Sequence, residues 1–253
     1  MIDDPERQKV LRRILKWLNI QKTDTILDIG CGDGFFSKNL SLQTSDANVV
    51  SCDIRKSMKG NSNLRLVICD AQHIPFKDKS FDKIVMLDVL EHMFNGKLAC
   101  DEIYRVLVAG GRAYVATPNS YTTMLSPFKI LAQRVDSYEG HLHHFSLEEL
   151  SNIFSGNKLR TLHFQYDGFF ALFSYYSFVY FVLKPLAKRK SATSSHNLSE
   201  SRIGQGFLFQ LLSGVGKHFL VILGKFDEFF KSSNRCMEIH LVVVKSSEKT
   251  LMG

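Results

Sequence analysis

A strand-like run, Ile26-Leu27-Asp28-Ile29, breaks directly into the glycine-rich stretch Gly30-Cys31-Gly32-Asp33-Gly34. Residues without Cβ can turn tightly there and bring backbone N–H groups close to a ligand. A second apolar run, Val49 to Cys52, ends in the carboxylate Asp53, which suits the two hydroxyls of a ribose. Strand, glycine turn, strand and acid, in that order, point to a parallel α/β sheet. A nucleoside-containing cofactor would lie across the carboxyl ends of its strands.

The glycine spacing narrows the cofactor. A dinucleotide fingerprint, G-x-G-x-x-G, needs a third glycine where a helix packs on the strand and its N-terminus faces a pyrophosphate. Here Phe35 follows Gly34, so the triplet is G-x-G-x-G. Asp28 precedes the turn, a poor neighbour for pyrophosphate and a good one for an ammonium group. This D-x-G-x-G-x-G run resembles motif I of the class I S-adenosylmethionine-dependent methyltransferases. Further landmarks follow in that family's order. Cys69-Asp70-Ala71-Gln72, after the apolar run Leu64 to Ile68, resembles the acidic turn that meets the adenine amino group. Pro75-Phe76 and Ser80 to Leu87 resemble the lead into strand four, and Asp88-Val89-Leu90-Glu91-His92 the segment at its active-site end. A helical stretch from Asp101 to Leu107, then Ala109-Gly110-Gly111-Arg112, the strand Ala113 to Ala116 and the loop Thr117-Pro118-Asn119 extend the likeness, which runs from about residue 22 to 166. It is closest to the small-molecule and quinone-type branch. The nucleic-acid N-methylating branches carry D/N/S-P-P-Y/F where this chain has Asp88-Val89-Leu90-Glu91.

The resemblance implies an α/β fold: a Rossmann-like, seven-stranded, mostly parallel sheet with helices on both faces, closed by an antiparallel hairpin. It implies S-adenosylmethionine as cofactor. Gly30, Cys31, Gly32 and Gly34 would hold its methionine end, Asp28 and Asp88 would favour its cationic charge, Asp53 and Ile54 would meet the ribose side, and Asp70 and Ala71 the adenine. An oxygen acceptor must also lose a proton. Gly140-His141-Leu142-His143-His144-Phe145-Ser146 resembles the family's H-x-x-x-F-S/T element, with His141 matching its histidine. An imidazole near its ordinary pKa of about 6.5 suits general-base work, so His141 and His144 are the candidates, with His92 in a positioning role. Three histidines in four positions also suit a metal. The family does not usually bind one through this element, and no metal is expected.

At 253 residues the chain can bury a full α/β core. Five cysteines without a C-x-x-C pair argue against a disulfide framework or a zinc site, and for a reducing, cytoplasmic compartment. Near the N-terminus, Asp4 and Pro5 open an amphipathic helix with Val10, Leu11, Ile14, Leu15 and Leu18 on one side. Its interspersed Arg and Lys residues exclude a signal peptide there. Ser146 caps a later helix through Glu149, Leu150 and Phe154, ended by Gly156. Two strands, Leu159 to Tyr166 and Met237 to Val244, make the closing hairpin.

These readings give a domain of residues 1–167 and 236–253, interrupted by an insertion over 168–235. The insertion holds nine Lys or Arg against three acids, so six of the seven net positive charges sit in it. Gly168 to Leu183 is uncharged and carries eight Phe or Tyr; a second apolar stretch runs from Phe207 to Leu223. As a helix the first would be about 24 Å long, short of the roughly 30 Å hydrocarbon core, so an interfacial contact suits it better than a span. Aromatics favour headgroup depth and lysines favour anionic lipid. A lid over the acceptor pocket, or a dimer surface, is the other use of such helices. Long uncharged aromatic stretches make a poor phosphate-tracking surface, and no nucleic-acid partner is expected.

The resulting expectation is methyl transfer, O- before C-, to a lipidic or lipid-linked acceptor, with peripheral contact at the inner membrane face. A soluble metabolite covered by the insertion as a lid is the alternative acceptor. Two other classes stay open. A nicotinamide-dependent oxidoreductase is disfavoured by Phe35 in place of the third glycine, and a non-catalytic membrane adaptor by the intact set of Asp28, the three glycines and Asp53.

Overall fold

The computed structural model describes residues 5–43, 48–55, 64–120, 140–156, 158–167, 236 and 238–246. The chain divides into two compact units: Met1–Ser120, Gly140–Gln165 and Glu238–Gly253 in one, Tyr121–Glu139 and Tyr166–Met237 in the other. The expected insertion over 168–235 lies outside the described residues apart from its border, as does the Asp4 cap.

The first unit is built as α1 (Pro5–Leu18), β1 (Thr25–Ile29), α2 (Phe35–Gln43), β2 (Asn48–Asp53), β3 (Arg65–Ile68) and β4 (Phe81–Leu87). A 3-10 turn (Leu90–His92), α3 (Gly96–Val106), β5 (Leu107–Pro118), α4 (Leu147–Gly156), β6 (Leu159–Asp167) and β7 (Glu238–Lys245) follow. The seven strands lie in the order β3-β2-β1-β4-β5-β7-β6. The pairs β1 with β2, β1 with β4, β2 with β3 and β4 with β5 are parallel, and β7 runs antiparallel to β5. The strand order reverses at β1, so the crevice beyond its carboxyl end is where such a sheet accepts a ligand.

Apolar spacing explains what each element buries. Leu11, Ile14 and Leu18 project from one side of α1 into a cluster with Ile26, Leu40, Val49, Val85, Tyr114, Ala116 and Val242. Val10 and Leu15 pack at its margin. Helix α3 buries Ala99, Cys100, Ile103 and Val106 and packs with α4, which buries Leu150 and Phe154. The capping box at α4 is formed: Ser146 N donates to Glu149 Oε2 at 2.7 Å, and Glu149 N donates to Ser146 Oγ at 3.2 Å.

Strand five departs from the sequence reading. It begins at Leu107, directly after α3, and absorbs the Ala109-Gly110-Gly111-Arg112 stretch, which the sequence reading placed ahead of a strand from Ala113 to Ala116. Gly110 there has φ +78°, and its register with β4 shifts between Phe81 and Lys83. At Gly111 a Cβ would stand 2.8 Å from Leu107 Cγ and 3.0 Å from the Asp82 carbonyl oxygen, so the chain passes only without a side chain. A glycine pair reads as a loop in sequence, yet here it serves as a bulge inside a strand.

Candidate active site

The turn after β1 is the best-defined part of the crevice. Gly30 N and Cys31 N both donate to the Cys52 carbonyl, at 2.8 and 3.1 Å, lashing the turn to the end of β2. Gly30 has φ +72°, and a Cβ added to it would overlap the Val89 side chain, so the close approach of two segments requires glycine. Gly32 has φ +51° and differs: nothing lies within 4 Å of where its Cβ would be. The turn therefore presents bare backbone to open space. Helix α1 reaches it through Arg7, whose Nη1 donates to Asp33 Oδ2 at 2.7 Å and whose guanidinium lies 5.3 Å from the Phe35 ring centre.

Asp28 sits beneath this turn rather than on its surface. Its Oδ2 accepts from Ser37 Oγ at 2.5 Å, and Ser51 Oγ donates in turn to Ser37 Oγ at 2.7 Å. All three are buried. Burial pushes the Asp28 carboxyl up to about 6, against the hydrogen bonds from Ser37, which pull it down. The acid thus joins β1, α2 and β2 at the base of the crevice.

Asp53 ends β2 and meets the turn across the crevice. Its Oδ2 accepts from Gly32 N at 2.9 Å and its Oδ1 from Arg55 N at 2.8 Å. Ile54, next in the chain, is 67% exposed, an apolar face offered to the same space. Asp70 lies after β3, where Cys69 N donates to the Asp53 carbonyl at 3.0 Å and Gln72 N to Asp70 Oδ1 at 2.9 Å. Ala71 is buried. Arg105 of α3 fixes the segment that follows. Its Nη2 donates to the Ile74 carbonyl at 2.8 Å, its Nη1 to the Phe76 carbonyl at 2.7 Å, and its Nε to Glu102 Oε1 at 2.7 Å. Glu102 Oε2 accepts from Ile74 N at 2.7 Å. Burial pushes the Cys31 thiol up to about 12, so it stays protonated and acts as a small apolar residue.

The far end of the crevice is formed by the segment after β4 and the loop before α4. Asp88 is exposed with φ +52°, and its N–H donates to the Ala116 carbonyl at 3.0 Å. Val89 directly precedes the 3-10 turn, so Asp88 lies one residue outside it. Glu91 is fully buried, accepting from Thr117 Oγ1 at 3.1 Å. Burial, then Asp88 nearby, pushes its carboxyl up to about 8. The Glu91 carbonyl accepts from Leu142 N at 2.7 Å and His143 N at 3.1 Å. Those bonds dock the histidine loop on the 3-10 turn. His92, His141 and His144 then stand in a row, with ring centres 5.0 and 5.6 Å apart. His143 departs from it, against Phe145. Sequence spacing marked the glycines, Asp53, Asp70 and the loop histidines. It did not mark Arg105, Arg7 or the docking of the loop on Glu91. For Glu91 the one local signal was its place in the Asp88-to-His92 segment, four residues past the end of β4.

This sheet order with a glycine turn at the switch point defines a class I methyltransferase fold. Residues 27–115 match the family described as "Methyltransferase domain", and the chain carries a methyltransferase domain of the class I, S-adenosylmethionine-dependent type. It is 34% identical over 133 residues to the biotin biosynthesis bifunctional protein BioHC of Cellvibrio japonicus, covering 50% of this chain and 26% of that one. It is 31% identical over 100 residues to the demethylmenaquinone methyltransferase of Clavibacter sepedonicus, covering 36% and 40%. The geranyl diphosphate C-methyltransferase of Streptomyces coelicolor, solved with S-adenosylhomocysteine, superposes with a TM-score of 0.60 at 12% identity over 94% of this chain and 79% of that one. The chain spans less than two thirds of the length of the curated relatives it matches, between 25% and 60% in three others. S-Adenosylmethionine is the cofactor of this class, and the crevice fits it: open space over Gly32, a carboxylate at the tip of β2 and the exposed Ile54 beside it.

Proposed function

We propose that this chain methylates an oxygen of a lipidic or lipid-linked acceptor, met at a membrane surface through residues 168–235. S-Adenosylmethionine, when bound, supplies a methyl group on a sulfonium, already activated for displacement. The chain's own work is placement. Bare backbone at Gly30 to Gly34 takes the methionine end, Asp53 the ribose hydroxyls, Ile54 one face of the nucleoside, and Asp70 with Ala71 the adenine edge. Asp28 and Asp88 add negative potential on the side where a cation would sit. Aligning an acceptor oxygen with the methyl accounts for most of the acceleration such a site can offer. For the proton that an acceptor hydroxyl gives up, the proposed bases are His141 and His144, whose rings lie 5.6 Å apart.

The observation that carries the reading is the open backbone at Gly32 facing the Asp53 carboxylate. Calorimetry tests it. S-Adenosylmethionine should bind and NADH should not, and Asp53→Ala should weaken binding by about tenfold or more, one lost charged hydrogen-bonding group being worth about 1.5–3 kcal/mol. Heat with NADH alone, or an unchanged affinity in Asp53→Ala, refutes it.

The lipidic acceptor is supported by the charge and aromatic content of residues 168–235, and by likeness to proteins named for demethylmenaquinone and geranyl diphosphate. Among the described residues no helix is long and apolar enough to cross a membrane. Flotation with phosphatidylserine-containing and neutral vesicles tests the surface contact. The protein should float with the anionic vesicles and lose this when Lys188, Arg189 and Lys190 become Ala; equal flotation by both proteins would sink the idea.

A further inference from the structure

Three of the five cysteines gather at the cofactor crevice: Cys31 after β1, Cys52 near the end of β2 and Cys69 directly after β3. All are free thiols. In the β2–β3 ladder Cys52 stands opposite Val67, and the ladder runs one step past β3, where Cys69 N donates to the Asp53 carbonyl at 3.0 Å. Side chains alternate along a strand, so Cys52, Val67 and Cys69 share one face. The Cys52 and Cys69 thiols meet there in a hydrogen bond. We infer that Cys52 and Cys69 form a reversible oxidation site, converted by hydrogen peroxide to a disulfide that S-adenosylmethionine binding opposes.

The two thiols differ in the way such a pair requires. Cys69 is partly exposed and Cys52 is buried. The hydrogen bond from Cys52 holds the Cys69 thiol below its ordinary range, outweighing burial and the charges of Asp70 and Asp53. The same hydrogen bond, then burial, pushes the Cys52 thiol up. Cys69 is therefore the attacking sulfur and Cys52 the resolving one. The Cys69 thiolate attacks one peroxide oxygen, the O–O bond breaks, and the departing hydroxide takes up a proton, leaving a sulfenic acid. The Cys52 sulfur then attacks the Cys69 sulfur. An S–S bond forms, the S–O bond breaks, and the Cys52 proton leaves with the expelled hydroxide as water. Two thiols and one peroxide thus become one disulfide and two waters, the sulfurs giving up the two electrons that the peroxide gains.

Closing this bridge moves the cofactor site. Diagonal neighbours on paired strands have Cα atoms about 7–8 Å apart, and a disulfide needs about 4.4–6.8 Å. Cys69 is therefore drawn toward β2 by roughly an ångström. The sheet leaves room for this, since β3 is a four-residue strand at its edge and Cys69 lies beyond the last of them. The shift works against the bond from Cys69 N to Asp53 and carries Asp70 with it. At the other end, the Cys52 carbonyl holds the glycine turn through Gly30 N and Cys31 N. By linkage, a bound cofactor opposes the bridge by the factor that the bridge weakens the cofactor. This coupling rests on the roles proposed for Asp53 and Asp70; the disulfide itself does not.

The test treats the reduced full chain with hydrogen peroxide, with and without saturating S-adenosylhomocysteine. Remaining thiols are then alkylated and the peptides mapped by mass spectrometry without reduction. A Cys52–Cys69 disulfide should form, with Cys31, Cys100 and Cys236 still alkylated, and the ligand should slow it. Oxidised protein should bind S-adenosylmethionine about tenfold more weakly, the scale of one lost charged hydrogen bond, and dithiothreitol should restore the affinity. Cys69→Ser, a change at a partly exposed position, should keep its affinity through the same treatment. Cys52→Ser should instead leave a sulfenic acid on Cys69, trapped by dimedone. The affinity of the reduced parent reports on the cofactor reading alone, because disulfide mapping needs no ligand. The inference is overturned if peroxide leaves all five thiols free, or if either sulfur pairs with Cys31. A disulfide that leaves affinity unchanged, or equal loss of affinity in treated Cys69→Ser, overturns it as well.

Discussion

Replacing Asp28 by Asn should make the protein more stable at neutral pH and worse at its task. The carboxyl titrates at 3.8 ordinarily and at about 6 in the folded chain, because burial disfavours its charged form. An acid whose folded pKa is raised contributes stability that is fully present below its unfolded pKa. That contribution is lost as pH rises through the folded value. The window is therefore from about 4 to about 6, and above it the ionised Asp28 costs about 3 kcal/mol relative to acid, at roughly 1.4 kcal/mol per pH unit. Asn has nearly the same shape, is neutral throughout, and its Oδ1 can accept from Ser37 Oγ. The amide brings N–H donors that this buried site leaves without obvious acceptors, which offsets part of that difference, so a net gain of about 1–2 kcal/mol is expected at pH 8. Urea unfolding of both proteins without ligand, at pH 5, 6, 7 and 8, reads this directly. The stability of the variant relative to the parent should rise by about 1.4 kcal/mol between pH 5 and pH 8, most of it below pH 7, while affinity for S-adenosylmethionine falls. A gap that is the same at pH 5 and pH 8, or a parent more stable at pH 8, would show that burial does not govern this carboxyl.

Two glycines of one turn should respond in opposite ways. Gly30→Ala places a methyl into Val89 in a backbone region costly for side chains, so it should destabilise by several kcal/mol and lower the yield of folded protein. Gly32→Ala meets open space, should cost only about 1–2 kcal/mol in thermal unfolding, and should nonetheless abolish detectable binding of S-adenosylmethionine in calorimetry. Arg105→Ala removes donors to two loop carbonyls and the partner of Glu102, so unfolding in urea should show a loss of about 2–4 kcal/mol. Cofactor affinity should fall with it, since Arg105 fixes the segment beyond Asp70. Arg7→Ala breaks an exposed pair with Asp33 and should change stability by less than about 1 kcal/mol in the same assay.

The difference between Gly30 and Gly32 also shows where sequence reading reaches its limit. Spacing places both glycines in one turn, because the alternation of Ile26 to Ile29 ends abruptly there, and β1 indeed spans Thr25–Ile29. Local pattern likewise places the seven strands to within a few residues, apart from the early start of β5, and the Ser146–Glu149 box. Each is a property of neighbours in the chain. Which glycine faces Val89 and which faces open space depends on how β4 passes β1, and no window of sequence contains both. The same holds for Asp28. Its place in motif I suggests a ligand contact, but Ser37 and Ser51 reach it from α2 and β2, so its carboxylate lies under the turn. The histidine loop is the extreme case. Gly140 to Phe145 reads as a cluster of imidazoles with no stated partner, and only the closing of the sheet brings it onto the carbonyl of Glu91. Chemistry at the cofactor end was legible because the fold builds it from contiguous turns. At the acceptor end it is assembled by docking, so its residue types could be named from sequence while their association could not.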